Sequence, residues 1–287
     1  MQTYAVVLLT FRELWAKKIT LGLFLVCTLA WIVLSMALNL DVVEGSLAGI
    51  RIFGQTADPT EVVRDPKTGE MVRQAVTLQG FVLGMNRLVG GAAYILGTLL
   101  GLFATAPLAV SMMESGRIDL LISKPLSRSR ILAGHVLGVW LTALALSVYL
   151  IFATWLVMSM KTGIWDPTFL LAIPIIVAMF AVMYAVVIFL SVTTQSSALA
   201  LVVAYGLIFV SFVFLWKEQL LPQIDPPWRG VFIGLYNILP NFLEVVPIVA
   251  KLTGSAPVAS WYPLWSSLAF GSVLYSGSFF WFNHRDF

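Results

Sequence analysis

The sequence predicts an all-α polytopic membrane protein. It comprises six transmembrane helices, an amphipathic N-terminal interfacial helix, a small external β-hairpin insertion and a re-entrant or interfacial hairpin before the last helix. Three observations lead there. Hydrophobic residues make up 60% of the 287-residue chain and charged residues only 11%. Soluble domains run at roughly 45–50% and about 25%, so too few polar side chains exist here to cover a water-facing surface. Six stretches are long enough to cross a bilayer with no Asp, Glu, Lys or Arg inside them. The cations of the short connections gather on one side. This composition excludes disorder, a secreted disulfide scaffold and a soluble enzyme.

Met1–Lys18 reads as an amphipathic helix on the inner membrane surface. Tyr4, Val7, Leu8, Phe11, Leu14 and Trp15 recur at helical spacing, with Arg12, Glu13, Lys17 and Lys18 mainly to one side. A cleaved signal peptide is not expected, because the cations follow an apolar stretch instead of opening the chain. A bilayer core about 30 Å thick needs about 20 helical residues. The expected spans are Ile19–Leu40, Leu88–Met113, Ile131–Met160, Thr168–Thr194, Ser197–Trp216 and Ser260–Phe282.

The longest connection, 41–87, is expected outside. Ile50–Phe53 reads as a short strand, and Glu61–Arg64 and Met71–Val76 flank the turn sequence Asp65-Pro66-Lys67-Thr68-Gly69-Glu70 as a β-hairpin. With six acids and five bases it has no strong electrostatic preference. It reads either as a solvated connector or as the contact for an external or periplasmic partner. Lys161–Pro167 is a short outer loop, and Gln195–Ser196 a tight inner one. In the external region 217–259, Pro222, Pro226 and Pro227 force the chain to turn at the outer interface. Val231–Ala250 is apolar but holds Pro240, Pro247, Asn237, Asn241 and Glu244, which makes a lipid-facing span costly. It is expected to form a re-entrant or interfacial hairpin, the alternative being a broken seventh span.

With six spans and an inner N-terminus, the inside pieces carry eight cations against four acids, and the outside pieces nine against ten. Short loops rich in Lys and Arg stay cytoplasmic, so both termini are expected in the cytoplasm of a cell with this inner membrane.

Chemistry of several kinds is missing. There is no G-x-x-x-x-G-K-[ST] phosphate loop and no H-E-x-x-H. The single Cys27 leaves no disulfide or Cys-based zinc site, and His135 and His284 leave little for metal. The uncharged spans weigh against an ion-coupled carrier. His135 reads as an interfacial hydrogen-bonding residue. The pairs Gly97/Gly101 and Gly134/Gly138 each allow close approach of a neighbouring helix, within the subunit or across a dimer.

The most specific segment joins the second and third spans. It runs from Glu114 through Arg117, an apolar patch of Ile118, Leu120, Leu121 and Ile122, then Ser123-Lys124-Pro125-Leu126-Ser127-Arg128-Ser129-Arg130. Pro125 stops a short helix before it, and Ser127 is placed to cap the next. This loop resembles that of the ABC-2 family of ABC transporter permeases, in which a glutamate and a short spacer precede "LLSKPLSR" and "ILLGK". Ile131-Leu132-Ala133-Gly134-His135 departs from that pattern only late, with histidine where lysine is usual. Leu239-Pro240-Asn241-Phe242 and the terminal Phe282-Asn283-His284-Arg285-Asp286-Phe287 are similar to the family as well.

The resemblance implies a non-enzymatic permease subunit, paired with a second copy and with a separate ABC ATPase that holds the ATP and magnesium; no cofactor is expected in this chain. It also implies that 114–130 is the coupling loop. Glu114, Arg117, Ile118, Leu121, Ile122, Lys124, Pro125, Leu126, Arg128 and Arg130 are the expected ATPase contacts. Membrane lipid is the remaining expected partner, and nucleic acid is not one. Three alternatives stay open: a mechanotransmitting subunit driving an external partner, an ATP-independent carrier or channel, and a membrane enzyme acting on lipid. The last lacks any evident cluster of Asp, His or Arg.

Overall fold

The stretch of highest hydropathy becomes the central helix of an antiparallel bundle. The fold is that of a computed structural model describing residues 2–16, 18–43, 46–52, 55–57, 60–64, 71–75, 77–113 and 127–284. Its helices are α1 (Gln2–Ala16), α2 (Ile19–Ala37), α3 (Leu78–Ser111), α4 (Arg128–Thr162), α5 (Ala172–Thr194), α6 (Ser197–Phe214), α7 (Lys217–Leu220), α8 (Pro226–Ile238), α9 (Val245–Thr253) and α10 (Tyr262–His284). Every residue of α5 from Met179 to Ile188 is buried. A helix apolar on all sides is one that neighbours surround, and α3, α4, α6 and α10 pack around this one.

Five helices, α2 to α6, are long and apolar enough to cross a membrane, α5 together with the 3₁₀ turn Pro167–Leu171 before it. The expected sixth span corresponds to α10, whose 23 residues reach about 34 Å. Its hydropathy is lowered by five serines, yet each hydroxyl is satisfied inside the helix. Ser267, Ser272, Ser276 and Ser278 donate to the carbonyl four residues back, and Ser266 to the carbonyl three back.

Two boundaries differ from the sequence reading. α3 begins ten residues before the apolar stretch that starts at Leu88. The Thr77 hydroxyl accepts from the Gly80 amide and caps the helix there. Arg87, which ends the uncharged window, is carried within the helix by donating to the Gly254 carbonyl at 3.2 Å. At α4 the Ser127 backbone is extended as an N-cap requires, but its side chain makes no capping bond. Its carbonyl instead accepts from the Arg130 and Ile131 amides.

α1 and α2 meet at Lys18, a left-handed residue with φ 57°. The protein-facing stripe of α1 is Val6, Thr10 and Leu14, packed on α4, whereas Leu8, Leu9, Phe11 and Trp15 are exposed. The expected apolar stripe is therefore mostly the outward face. α2 docks on α4 through Tyr149, which stacks on Phe24 with ring centroids 4.4 Å apart and bonds Thr28 and Trp31. Lys161 of α4 donates to the Ser35 carbonyl near the far end.

Between α2 and α3 the backbone forms β1 (Leu38–Val43), β2 (Ser46–Ile52) and β3 (Gln55–Ala57) in one antiparallel sheet. β4 (Thr60–Arg64) pairs antiparallel with β5 (Met71–Ala75), Arg64 opposite Met71. The turn 65–70 lies outside the described residues.

After α6 the chain turns through α7 and the Pro222-containing 3₁₀ turn Leu221–Gln223, where Arg229 donates twice to the Leu221 carbonyl. α8 and α9 then form a helical hairpin. Their 13 and nine residues extend about 20 Å and about 14 Å. Gly254, just past α9, returns to the level of Arg87, near the start of α3. The segment thus comes back to the end it left, and α10 runs the length of α5 to the other end.

Candidate coupling interface and the polar hairpin

At one end of the bundle the chain gathers both of its terminal helices around the ends of α3 and α4. Met112 and Met113, immediately after α3, are buried. Ser111 donates to the Glu13 carboxylate of α1 at 3.2 Å. Arg128 Nη1 donates to the Asn283 carbonyl at 3.4 Å, and Ser129 to the Asn283 side-chain oxygen at 2.9 Å. One step inward, buried His135 shares a hydrogen bond with the Tyr184 hydroxyl at 3.1 Å. This histidine lies in the core of the bundle and not at its surface, tying α4 to α5.

Of the expected ATPase contacts, Arg128 and Arg130 sit in the first turn of α4. Glu114, Arg117, Ile118, Leu121, Ile122, Lys124, Pro125 and Leu126 lie outside the described residues. What the structure adds is the frame on which that loop is strung: Glu13, Ser111, Ser129 and Asn283. Asn283 was visible in the terminal motif, and Glu13 in the N-terminal charge cluster. Neither Ser111 nor Ser129 carries a sequence signal.

One glycine of each pair, Gly101 and Gly138, packs within the subunit. A Cβ on Gly138 would stand 2.8 Å from Thr10 Cβ, so this glycine is what lets α1 lie against α4. A Cβ on Gly101 would stand 2.9 Å from the Phe180 ring of α5, whereas one on Gly97 meets nothing within 4 Å.

At the opposite end, the break between α8 and α9 frees backbone groups inside the bundle, and neighbouring side chains take them up. Tyr94 of α3 donates to the Phe242 carbonyl at 2.7 Å. The Leu243 amide donates to Ser211 of α6 at 2.7 Å, and the Asn241 amide to Ser267 of α10 at 3.0 Å. Asn241 Nδ2 donates to the Tyr236 carbonyl and to Ser266. Non-helical backbone at membrane depth persists only where protein satisfies it in this way. Leu239-Pro240-Asn241-Phe242 is accordingly the turn of a hairpin whose tip is held within the bundle.

The hairpin's carboxylate is neutralised locally. Glu244 lies 3.2 Å from Lys217, which also donates to the Tyr236 hydroxyl at 2.7 Å and sits 4.2 Å above that ring. Tyr236 in turn donates to Glu244 at 2.7 Å. Burial, then the bond to and charge of Glu244, hold its phenol well above the usual range, so it stays a donor.

A helix bundle of this length and hydropathy defines a multi-pass membrane protein. Residues 15–224 match the family described as ABC-2 family transporter protein. The chain belongs to that family, and is thereby a permease-type membrane subunit of an ABC transporter. Membership implies an ABC ATPase partner and a dimeric arrangement. The match spans α2 through α7 and includes the loop 114–126; the hairpin and α10 lie beyond it. No curated protein matches the chain.

Proposed function

We propose that this chain is one of two membrane subunits of an ATP-driven exporter in the cytoplasmic membrane. Magnesium-ATP is bound and hydrolysed by a separate ATPase, and this chain supplies no catalytic residue or cofactor. α2 to α6 and α10 make six crossings, α1 lies at the cytoplasmic surface, and α8–α9 re-enters from outside. The internal serine bonds of α10 support the sixth crossing, and the uneven Lys and Arg distribution supports the orientation.

One observation carries the coupling role: the loop 114–126 joins the two longest helices, and both terminal helices are bonded into the same end. α3 and α4 have 34 and 35 residues, about 51 Å and about 52 Å at 1.5 Å per residue. Each exceeds the hydrocarbon core of about 30 Å by roughly 20 Å. A force on the loop acts on two rigid rods at once. Glu13–Ser111 and Arg128–Asn283 pass it to α1 and α10. In this reading Ile118, Leu121 and Ile122 pack into the ATPase while Glu114, Arg117, Lys124, Arg128 and Arg130 pair charges, with Pro125 and Leu126 behind them. Differential contact with two ATPase states then biases two states of the bundle.

The test is co-purification with the candidate ATPase and measurement of ATP hydrolysis with wild type, Leu121→Asp and Glu114→Ala. Stable association, with hydrolysis changed by the loop variants while the helical fold is intact, is the expected result. Failure of any ABC ATPase to associate, or loop variants indistinguishable from wild type, refutes the assignment.

A further inference from the structure

α2 packs chiefly on α4, through Tyr149, and meets α3 only sparingly, a cleft of about 280 Å³ lying between them. Small residues in its lining, Ala30 of α2 and Ala92, Ala93 and Gly97 of α3, leave room among larger ones such as Leu34 and Leu96. Along α3 it extends from Leu88 to Thr105, about 26 Å at the helical rise, nearly the thickness of the hydrocarbon core.

The wall is apolar in chemistry as well as composition. Thr105, Thr142 and Thr154 each donate to the carbonyl four residues back, which leaves Ser147 as the one wall hydroxyl without a partner among the described residues. Such a surface offers nothing to a polar solute and does not hold water. Long and apolar, the cleft suits a hydrocarbon chain, which needs no polar partner.

At one end the wall is closed by Leu14 of α1. On the same short corner of the chain Arg12 and Lys18 have exposed side chains, with no partner to either among the described residues, and Trp15 and Phe11 are exposed beside them. The one acid there, Glu13, accepts from Ser111. Exposed cations over exposed aromatic side chains suit an anionic headgroup at the membrane surface.

We infer that the cleft between α2, α3 and α4 holds one acyl chain of an anionic phospholipid, whose phosphate lies at Arg12 and Lys18. The inference does not depend on the identity of the ATPase.

Cys27, the sole cysteine, lines the cleft and is half-buried, so it reports occupancy directly. The delipidated full chain in detergent is treated with N-ethylmaleimide while phosphatidylglycerol or phosphatidylcholine of equal chain length is titrated in. The expected result is several-fold slowing of Cys27 modification that saturates with phosphatidylglycerol and is weaker with phosphatidylcholine. Gly97→Phe, placed where a Cβ meets nothing, fills the cleft and abolishes the lipid dependence; Ala92→Leu serves if that variant does not fold. Arg12→Gln with Lys18→Gln removes the headgroup preference. No protection, equal protection by the two lipids, or a preference that survives the double charge change overturns the inference.

Discussion

Gly138→Ala is the sharpest probe of how α1 is held. The added Cβ stands 2.8 Å from Thr10 Cβ and 2.9 Å from its methyl, against an unstrained carbon contact of about 3.5–4.0 Å. α1 and α4 must separate by roughly 1 Å. Overpacking of this kind costs about 1–3 kcal/mol, while replacing a helical glycine by alanine returns about 1 kcal/mol. The expected net change is therefore small to moderately destabilising, and the control carries the argument. Gly97→Ala has the same propensity gain and no contact, so the two variants are expected to differ by the steric cost alone. Equilibrium unfolding in mixed detergent micelles, followed by circular dichroism, measures that difference. Thr10→Gly in the Gly138→Ala background is expected to relieve it. Thr10→Ala is not, because the closest contact, Cβ to Cβ, remains. If both alanine variants shift alike, or both Thr10 changes relieve equally, the packing account of α1 is refuted.

Three further outcomes are expected. Tyr94→Phe removes the 2.7 Å bond to the Phe242 carbonyl, which keeps only the longer 3.3 Å bond from the Val245 amide, and lowers stability by about 1 kcal/mol, within the range for membrane hydrogen bonds; Ser211→Ala, which takes the partner of the Leu243 amide, is expected to cost about 1–2 kcal/mol in the same unfolding assay. Lys217→Met alone costs about 1–3 kcal/mol, because Glu244, only 11% exposed, loses its counter-charge; adding Glu244→Leu recovers most of it, and an additive double mutant counts against the pair. In a Cys27→Ser background, single cysteines at Val258 and His284 are expected to react with a membrane-impermeant maleimide from opposite faces in vesicles of known orientation, and labelling from the same face eliminates the sixth crossing.

Five of the expected spans were legible in the sequence because crossing a bilayer is a local requirement on apolar length. So was the two-residue connection Gln195–Ser196, where Gln195 takes the left-handed conformation and Ser196 caps α6. The facing of α1 was not. Periodicity marked Leu8, Phe11 and Trp15 together with Leu14 as its apolar stripe, yet of these only Leu14 is buried, alongside Val6 and Thr10. In a membrane, residues facing lipid and residues facing protein are both apolar, so hydrophobic spacing cannot separate them, and small residues such as Gly138 carry the information instead. The start of α3 was hidden because Arg87 reads as the end of a span until its partner, the Gly254 carbonyl 167 positions away, is known. Of the proposed coupling interface, Arg128 and Arg130 were expected at the start of a helix, where the structure has them. The frame around them depends on Ser111 and Ser129, whose partners lie 98 and 154 residues away and leave no local pattern.

The distribution of polar bonds says where this bundle can yield. α3, α6, α10 and the hairpin are tied together at one end by Tyr94, Ser211, Ser266 and Ser267. At the other end α1, α3, α4 and α10 are tied by Glu13, Ser111, Ser129 and Asn283. Between them α5 is buried from Met179 to Ile188. Breaking either set inside the membrane exposes unsatisfied groups, so a push at the α3–α4 junction moves these helices as one body. The boundary that is free to shift is the apolar one, where α2 leaves α3 across the cleft and hydrocarbon can flow as its width changes. In the proposed coupling, displacement delivered by an ATPase is expected to open or close the α2–α3 side, with α2 pivoting on its Tyr149 and Lys161 bonds to α4, and fixing α2 to α3 across the cleft is expected to stop it without touching the loop. A disulfide between Cys27 and a cysteine introduced at Ala92, Ala93 or Leu96, whichever forms, is the direct way to impose that block. Uncoupling by this bond, reversed by reductant, is expected; unaltered transport with the bond formed would place the moving boundary elsewhere.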